Sequence, residues 1–184
     1  MSAAAPPLLS LIVPTLNERP NVEALLAEAE AAMAVRPLEV IFADSASDDG
    51  TQEAVRALEA AGRPVRLLPL ARSDSLSAAC IAAASQARAP FVAVCDADLQ
   101  HDLAILPALI AALEGGADIA VGSRYVSGGS SGAGLSPLRR LQSRGAAHAT
   151  RLCLGVTLGL FYDYNDDAET GGIHVYSVDT LFET

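Results

Sequence analysis

Short runs rich in Val, Ile and Leu, at Leu8 to Val13, Leu38 to Ala43, Val65 to Leu68, Phe91 to Cys95 and Ile119 to Val121, alternate with longer segments whose apolar residues repeat at helical spacing. A chain patterned this way can bury both sets of apolar faces only as a layered α/β domain, in which helices cover a central sheet. Val22, Leu25, Leu26, Ala29 and Met33 mark one face of a helix that Pro20 opens, since proline suits the first helical turn. Further helices are predicted from Gly50 to Ala61, from Ser75 to Ala87 and from Asp102 to Leu113, the last with Pro107 as a kink or a late start. There is no internal repeat, and the Gly- and Ser-dense residues 127–136 read as a mobile loop rather than a linker. At 184 residues the chain suits one domain with a full core better than two, so residues 1–184 are expected to form a single domain.

Composition narrows the function classes. A net charge of -10 argues against a general nucleic-acid binder, which needs a basic surface to displace counterions from phosphates. Cys80, Cys95 and Cys153 are an odd number without metal spacing, each in an apolar segment, and read as buried reduced thiols in a cytoplasmic protein. No basic stretch precedes the short apolar run near the N-terminus, so no secretory signal is expected. No apolar run approaches the roughly 20 residues that cross a bilayer.

The chemistry concentrates where Phe-Val-Ala-Val-Cys runs into Asp96-Ala97-Asp98, followed by the polar turn Leu99 to Asp102. Side chains alternate along an extended strand, so Asp96 and Asp98 share one side with Ala97 turned away. Two such carboxylates at a sheet edge suit Mg2+ or Mn2+, hard cations that keep positions open for water and substrate phosphates. Such a triplet also occurs by chance, as a solvated strand end or ahead of a helix cap at Asp102. In open α/β sheets ligands sit beyond the carboxyl ends of the strands, and two further ends are polar: Pro14 to Glu18 after the first strand and Asp44 to Thr51 after the second. Each taken alone also reads as turn chemistry, with Asn17 as an Asx-turn and Asp48 or Asp49 as a helix cap.

Taken in order, these segments resemble family-2 glycosyltransferases of the GT-A fold, in which an IVPTxNE opening, a DSGSTDGT-like second strand end and a DAD metal motif recur. Here they are Leu11 to Glu18, Asp44 to Thr51 and Asp96 to Asp98. DADLQH at Asp96 to His101, GSRYVSGG at residues 122–129 and RRLQSRGA at residues 139–146 narrow the resemblance to the polyprenyl-phosphate mannosyl or glucosyl synthases, strongest over residues 8–155. The resemblance implies a mostly parallel sheet with helices on both faces, and an inverting transfer of mannose or glucose from GDP-mannose or UDP-glucose to a polyprenyl phosphate. It further implies a nucleotide-sugar site of Pro14, Thr15, Asn17, Glu18, Asp44, Asp96, Ala97, Asp98 and Gln100. In that site Asp44 accepts from the ring N–H of uracil or guanine, and Asp96 and Asp98 hold Mg2+ or Mn2+. Asp98 and Arg124 carry catalysis, while Arg124, Arg139 and Ser143 grip the acceptor phosphate, arginine offering paired donors to phosphate oxygens. His101 reads as a structural neighbour.

The same resemblance implies work at the cytoplasmic face of a membrane, reached by peripheral contact. Alternatives that stay open are a saccharide or small-molecule acceptor and a nucleotide-sugar-binding homologue without turnover. Two departures bear on them. Ser77 stands where relatives have glycine before the third helix, and residues 156–184 diverge, with six acidic residues and no Lys or Arg from Asp163 onward. There Gly172 to Tyr176 reads as a remnant of an SGFR-like motif, with His174 in the Arg position.

Overall fold

A computed structural model describes residues 5–72, 74–122 and 173–177. The chain divides into two compact units, residues 1–120 with 173–184 and residues 121–172; only two residues of the second belong to the described set. The elements follow in the order β1 (Leu9–Thr15), α1 (Val22–Ala32), β2 (Leu38–Asp44), α2 (Thr51–Ala60), β3 (Val65–Pro69), α3 (Leu76–Ala84), β4 (Phe91–Val94), a 3-10 turn (Leu103–Ile105), α4 (Leu106–Glu114), β5 (Ile119–Val121) and β6 (His174–Ser177). The sheet order is β3-β2-β1-β4-β6-β5, with β1 parallel to both β2 and β4, β2 parallel to β3, and β6 antiparallel to β4.

The strands are almost continuously apolar because both faces of the sheet are covered. Successive residues go to opposite sides. Leu9, Leu11 and Val13 of β1, with Val40 and Phe42 of β2, pack under α1, α2 and α4 through Leu25, Leu26, Val55, Leu106 and Ile110. Ile12, Ile41, Ala43 and Val92 point the other way, onto Ala79 and Ala83 of α3. Helix α1 buries Val22, Leu25, Leu26 and Ala29, the spacing of one helical face.

The boundaries differ from the sequence reading where polar chemistry intrudes. Helix α1 begins at Val22 with Asn21 as its N-cap, so Pro20 lies in the preceding turn rather than opening the helix. Helix α3 ends at Ala84, three residues short of the expected end. Pro107 marks a late start, one residue into α4 and after the separate 3-10 turn that Asp102 caps through the Ala104 N–H. Strand β6 was not anticipated: it takes residues 174–177 out of the divergent tail and lays them along β4, with His174 opposite Val94 and Ser177 opposite Phe91. Ile173 and Val175 are thereby buried in the same core as Leu26 and Ile110. The Gly- and Ser-rich 127–136 segment and the acidic stretch from Asp163 to Thr170 lie outside the described residues.

Because Ile173 is 2% exposed in this core, Ile173→Ala is expected to lower unfolding free energy by about 2 to 5 kcal/mol in urea denaturation. A loss under about 1 kcal/mol would mean that the returning strand is no part of the cooperative core.

Candidate active site

The carboxyl ends of β1, β2 and β4 lie side by side at one edge of the sheet, and each releases the chain into a polar loop. The β1–β4 ladder stops at a definable place. Ile12 pairs with Val94 and its carbonyl accepts from the Cys95 N–H at 3.1 Å. In a parallel ladder the next rung on that side needs an N–H from position 14, and Pro14 has none. Freed from β1, the β4 chain departs at Cys95 and carries Asp96, Ala97 and Asp98 away from the sheet, while β1 stays paired with β2 as far as Thr15 opposite Asp44.

Thr15 and Asp44 therefore sit inside their strands, not in the loops after them. Asp44 is fully buried, and its carboxylate receives two donors on each oxygen. Ser47 N (2.9 Å) and Gln52 Nε2 (2.6 Å) donate to Oδ1, while Thr15 Oγ1 (3.1 Å) and Ser47 Oγ (2.5 Å) donate to Oδ2. Ser47 Oγ also accepts from Asn17 N at 2.8 Å, and Asn17 Oδ1 accepts from Asp48 N at 3.0 Å. Glu18 N donates to Thr51 Oγ1 and Arg19 N to Asp49, both at 3.0 Å. The β1 and β2 loops are thus bound to each other by backbone and side-chain hydrogen bonds. Asp49 is held below the usual carboxylate range first by the Thr51 hydroxyl and then, against desolvation, by backbone N–H groups of Arg19 and Thr51.

Among the described residues three non-glycine positions have positive φ, and each lies in one of these loops: Asn17 at 61°, Ala46 at 57° and Leu99 at 60°. Asn tolerates that region, whereas Ala and Leu are strained in it. Ala46 occupies the position where the DSGSTDGT pattern has glycine.

Beyond β4 the alternation outlasts the strand: Ala97 is buried at 4% while Asp96 and Asp98 are half-exposed. Gln100 N donates to Asp98 Oδ1 at 3.0 Å, and the largely buried His101 places Nε2 3.7 Å from Asp96 Oδ2. Among the described residues no third His, Cys, Asp or Glu joins the pair in a metal-binding cluster. The donors fit a hard divalent cation that takes two carboxylates from protein and the rest from water and phosphate. Ser77 lies in the exposed first turn of α3, behind the Ser75 cap, so its side chain belongs to a helix rather than a loop. Pro14, Thr15, Asn17, Glu18, Asp44, Asp96, Ala97, Asp98 and Gln100 thus gather at the ends of three adjacent strands. Arg124, Arg139 and Ser143 lie outside the described residues. Gln52, in the first turn of α2, is a contributor that sequence reasoning missed, and nothing in its local pattern marks it.

Residues 10–181 match the family model described as glycosyl transferase family 2. The chain belongs to that family. It is 37% identical over 146 residues to the dolichol-phosphate mannosyltransferase of Pyrococcus furiosus, covering 79% of this chain and 41% of that protein. With the Mycosarcoma maydis protein of the same name it shares 33% identity over 156 residues, 82% of this chain and 53% of that one. The family-2 chain here therefore spans about half the length of these relatives, or less. Among solved structures, glucosyl-3-phosphoglycerate synthase from Mycobacterium tuberculosis superposes with a TM-score of 0.60 at 19% identity, over 96% of this chain and 58% of that one. That likeness establishes the GT-A fold, as the motif order led us to expect. No described helix is long and apolar enough to cross a membrane.

Two predictions follow from the loop chemistry. Ala46→Gly should raise stability by about 0.5 to 1 kcal/mol, read as a shifted urea midpoint, because relief of left-handed strain outweighs the added freedom of the unfolded chain. Burial, with Asp96 and Asp98 adding to it, pushes the Cys95 thiol from 9.0 up to about 12. The unfolded thiol ionises first, so wild-type stability contributed here is complete below pH 9.0 and lost between there and about 12. The stability difference between wild type and Cys95→Ala should narrow across that window in denaturation curves at stepped pH.

Proposed function

We propose that the chain acts as a metal-dependent, inverting glycosyltransferase that moves mannose or glucose from GDP-mannose or UDP-glucose to a polyprenyl phosphate. The observation that carries this reading is the departure of Asp96 and Asp98 from the sheet beside the hydrogen-bonded β1 and β2 loops. It is supported by family membership and by the two relatives named dolichol-phosphate mannosyltransferase.

In this reading the loop ends of β1 and β2 bind the nucleoside, with Asp44 taking the ring N–H of the base, an assignment that suits an acceptor-only carboxylate. Asp96 and Asp98 are the residues that would hold Mg2+ or Mn2+. A cation bound there supplies Lewis-acid stabilisation of charge on the departing nucleotide. Arg124, Arg139 and Ser143 hold the lipid phosphate, and Arg124 brings it to the anomeric carbon. The acceptor oxygen is already anionic near neutral pH, so the site needs no strong general base. One displacement inverts the anomeric carbon, turning an α-linked donor into a β-linked product. The protein works at the cytoplasmic face of the membrane, where it meets its acceptor by peripheral contact.

Purified protein given radiolabelled GDP-mannose, or separately UDP-glucose, with polyprenyl phosphate should place label in the butanol-extractable lipid with Mn2+ and not with EDTA. Asp98→Asn should lower that transfer about a hundredfold or more, the scale of several kcal/mol of charge stabilisation. Nucleotide binding with no lipid label from either donor would overturn the proposed acceptor.

A further inference from the structure

The Asp44 carboxylate has about four acceptor positions, and the chain's own donors fill all of them. A nucleobase can use this carboxylate only if one donor withdraws. Ser47 N is backbone, and Ser47 Oγ is tied at once to Asp44 and to Asn17 N, so neither can leave without parting the two loops. Thr15 is buried at 4% on the central strand. Gln52 differs: it is a long, half-buried arm from the first turn of α2, whose withdrawal disturbs no backbone. Its amide orientation is set from both ends. Arg56 has only donors and reaches Gln52 Oε1 at 2.9 Å, which turns the amide NH2 toward Asp44 Oδ1 at 2.6 Å. Beyond this, Arg56 makes an exposed contact to Glu53 at 3.9 Å.

We propose that Gln52 is an affinity-setting gate, occupying the Oδ1 position of Asp44 that a base would use and yielding it to bases that bring a ring N–H of their own. Uracil and guanine replace the lost donor. Cytosine presents a bare ring nitrogen at that place, and its lone pair would face the carboxylate. The inference rests on the nucleotide-sugar reading of the site and adds to it a residue that fills the base position until a base with its own ring N–H displaces it.

The test is calorimetric binding of UDP, GDP and CDP, with Mg2+, to wild type and to Gln52→Met, a side chain of similar length without a donor. With the gate removed, UDP and GDP should bind about tenfold more tightly while CDP is unchanged, the factor corresponding to one hydrogen bond to a charged group. Arg56→Ala, which loosens the Gln52 amide from outside the site, should move the UDP-to-CDP ratio the same way by a smaller factor. Weaker UDP and GDP binding in Gln52→Met, or an equal gain for CDP, would overturn the gate while leaving the nucleotide reading intact. A wild type that binds UDP and GDP no better than CDP, with neither variant changing this, would overturn the base-reading role of Asp44 and the gate together.

Discussion

The registry of β1 with its two neighbours governs what the rest of the molecule can do. Pairing with β2 runs unbroken to Thr15 beside Asp44, while pairing with β4 ends at Ile12 and Val94. This three-residue difference opens the sheet on one side only. A polar cluster is therefore buried between β1 and β2, and a carboxylate pair is released beside it. Neither would survive a register slip, because a shift of one residue would send Leu11, Val13 and Phe42 to the wrong face.

The loops at this edge are held by mutual constraint rather than by packing. Three residues with left-handed backbone, two of them poor fits for it, cost of order 1 to 3 kcal/mol each. Hydrogen bonds running from the Asn17–Arg19 loop to Ser47, Asp48, Asp49 and Thr51 offset that cost at Asn17 and Ala46 by fixing both their loops at once. The opposite end of the sheet has its own polar anchor, in which buried Glu39 accepts from Ser10 Oγ at 2.6 Å and from Arg88 N at 2.7 Å. It joins β1 and β2 to the chain entering β4, well away from the loops that face substrate in the proposed function.

Much of this was legible in the sequence, for identifiable reasons. Long apolar runs and a helical face such as Val22, Leu25, Leu26 and Ala29 depend on local periodicity, and they specify layer and face correctly. Thr15 and Asp44 looked like loop residues because polarity was read as exposure; their strands continue because each side chain satisfies the other's. Strand β6 escaped notice because four residues beside a distant partner leave only the weak alternation of Ile173, Val175 and Ser177, flanked by Gly171 and Gly172. Gln52 carries no local signal at all, since its importance comes from a carboxylate eight residues away on another element. The ordered motifs singled out Asp44, Asp96 and Asp98 in the sequence, but the crowding of Asp44 by its own donors was not legible there.

The pairing of β6 with β4 also bears on how the protein is made. A ribosome delivers the chain from its N-terminus, and the edge of β4 from Phe91 to Val94 emerges long before residues 174–177 that will cover it. Throughout the synthesis of about 80 intervening residues, an apolar parallel sheet presents an open strand edge of the kind that recruits other chains. Cells making this protein have reason to shield the nascent sheet, and translation speed between residues 95 and 173 becomes a variable of its yield.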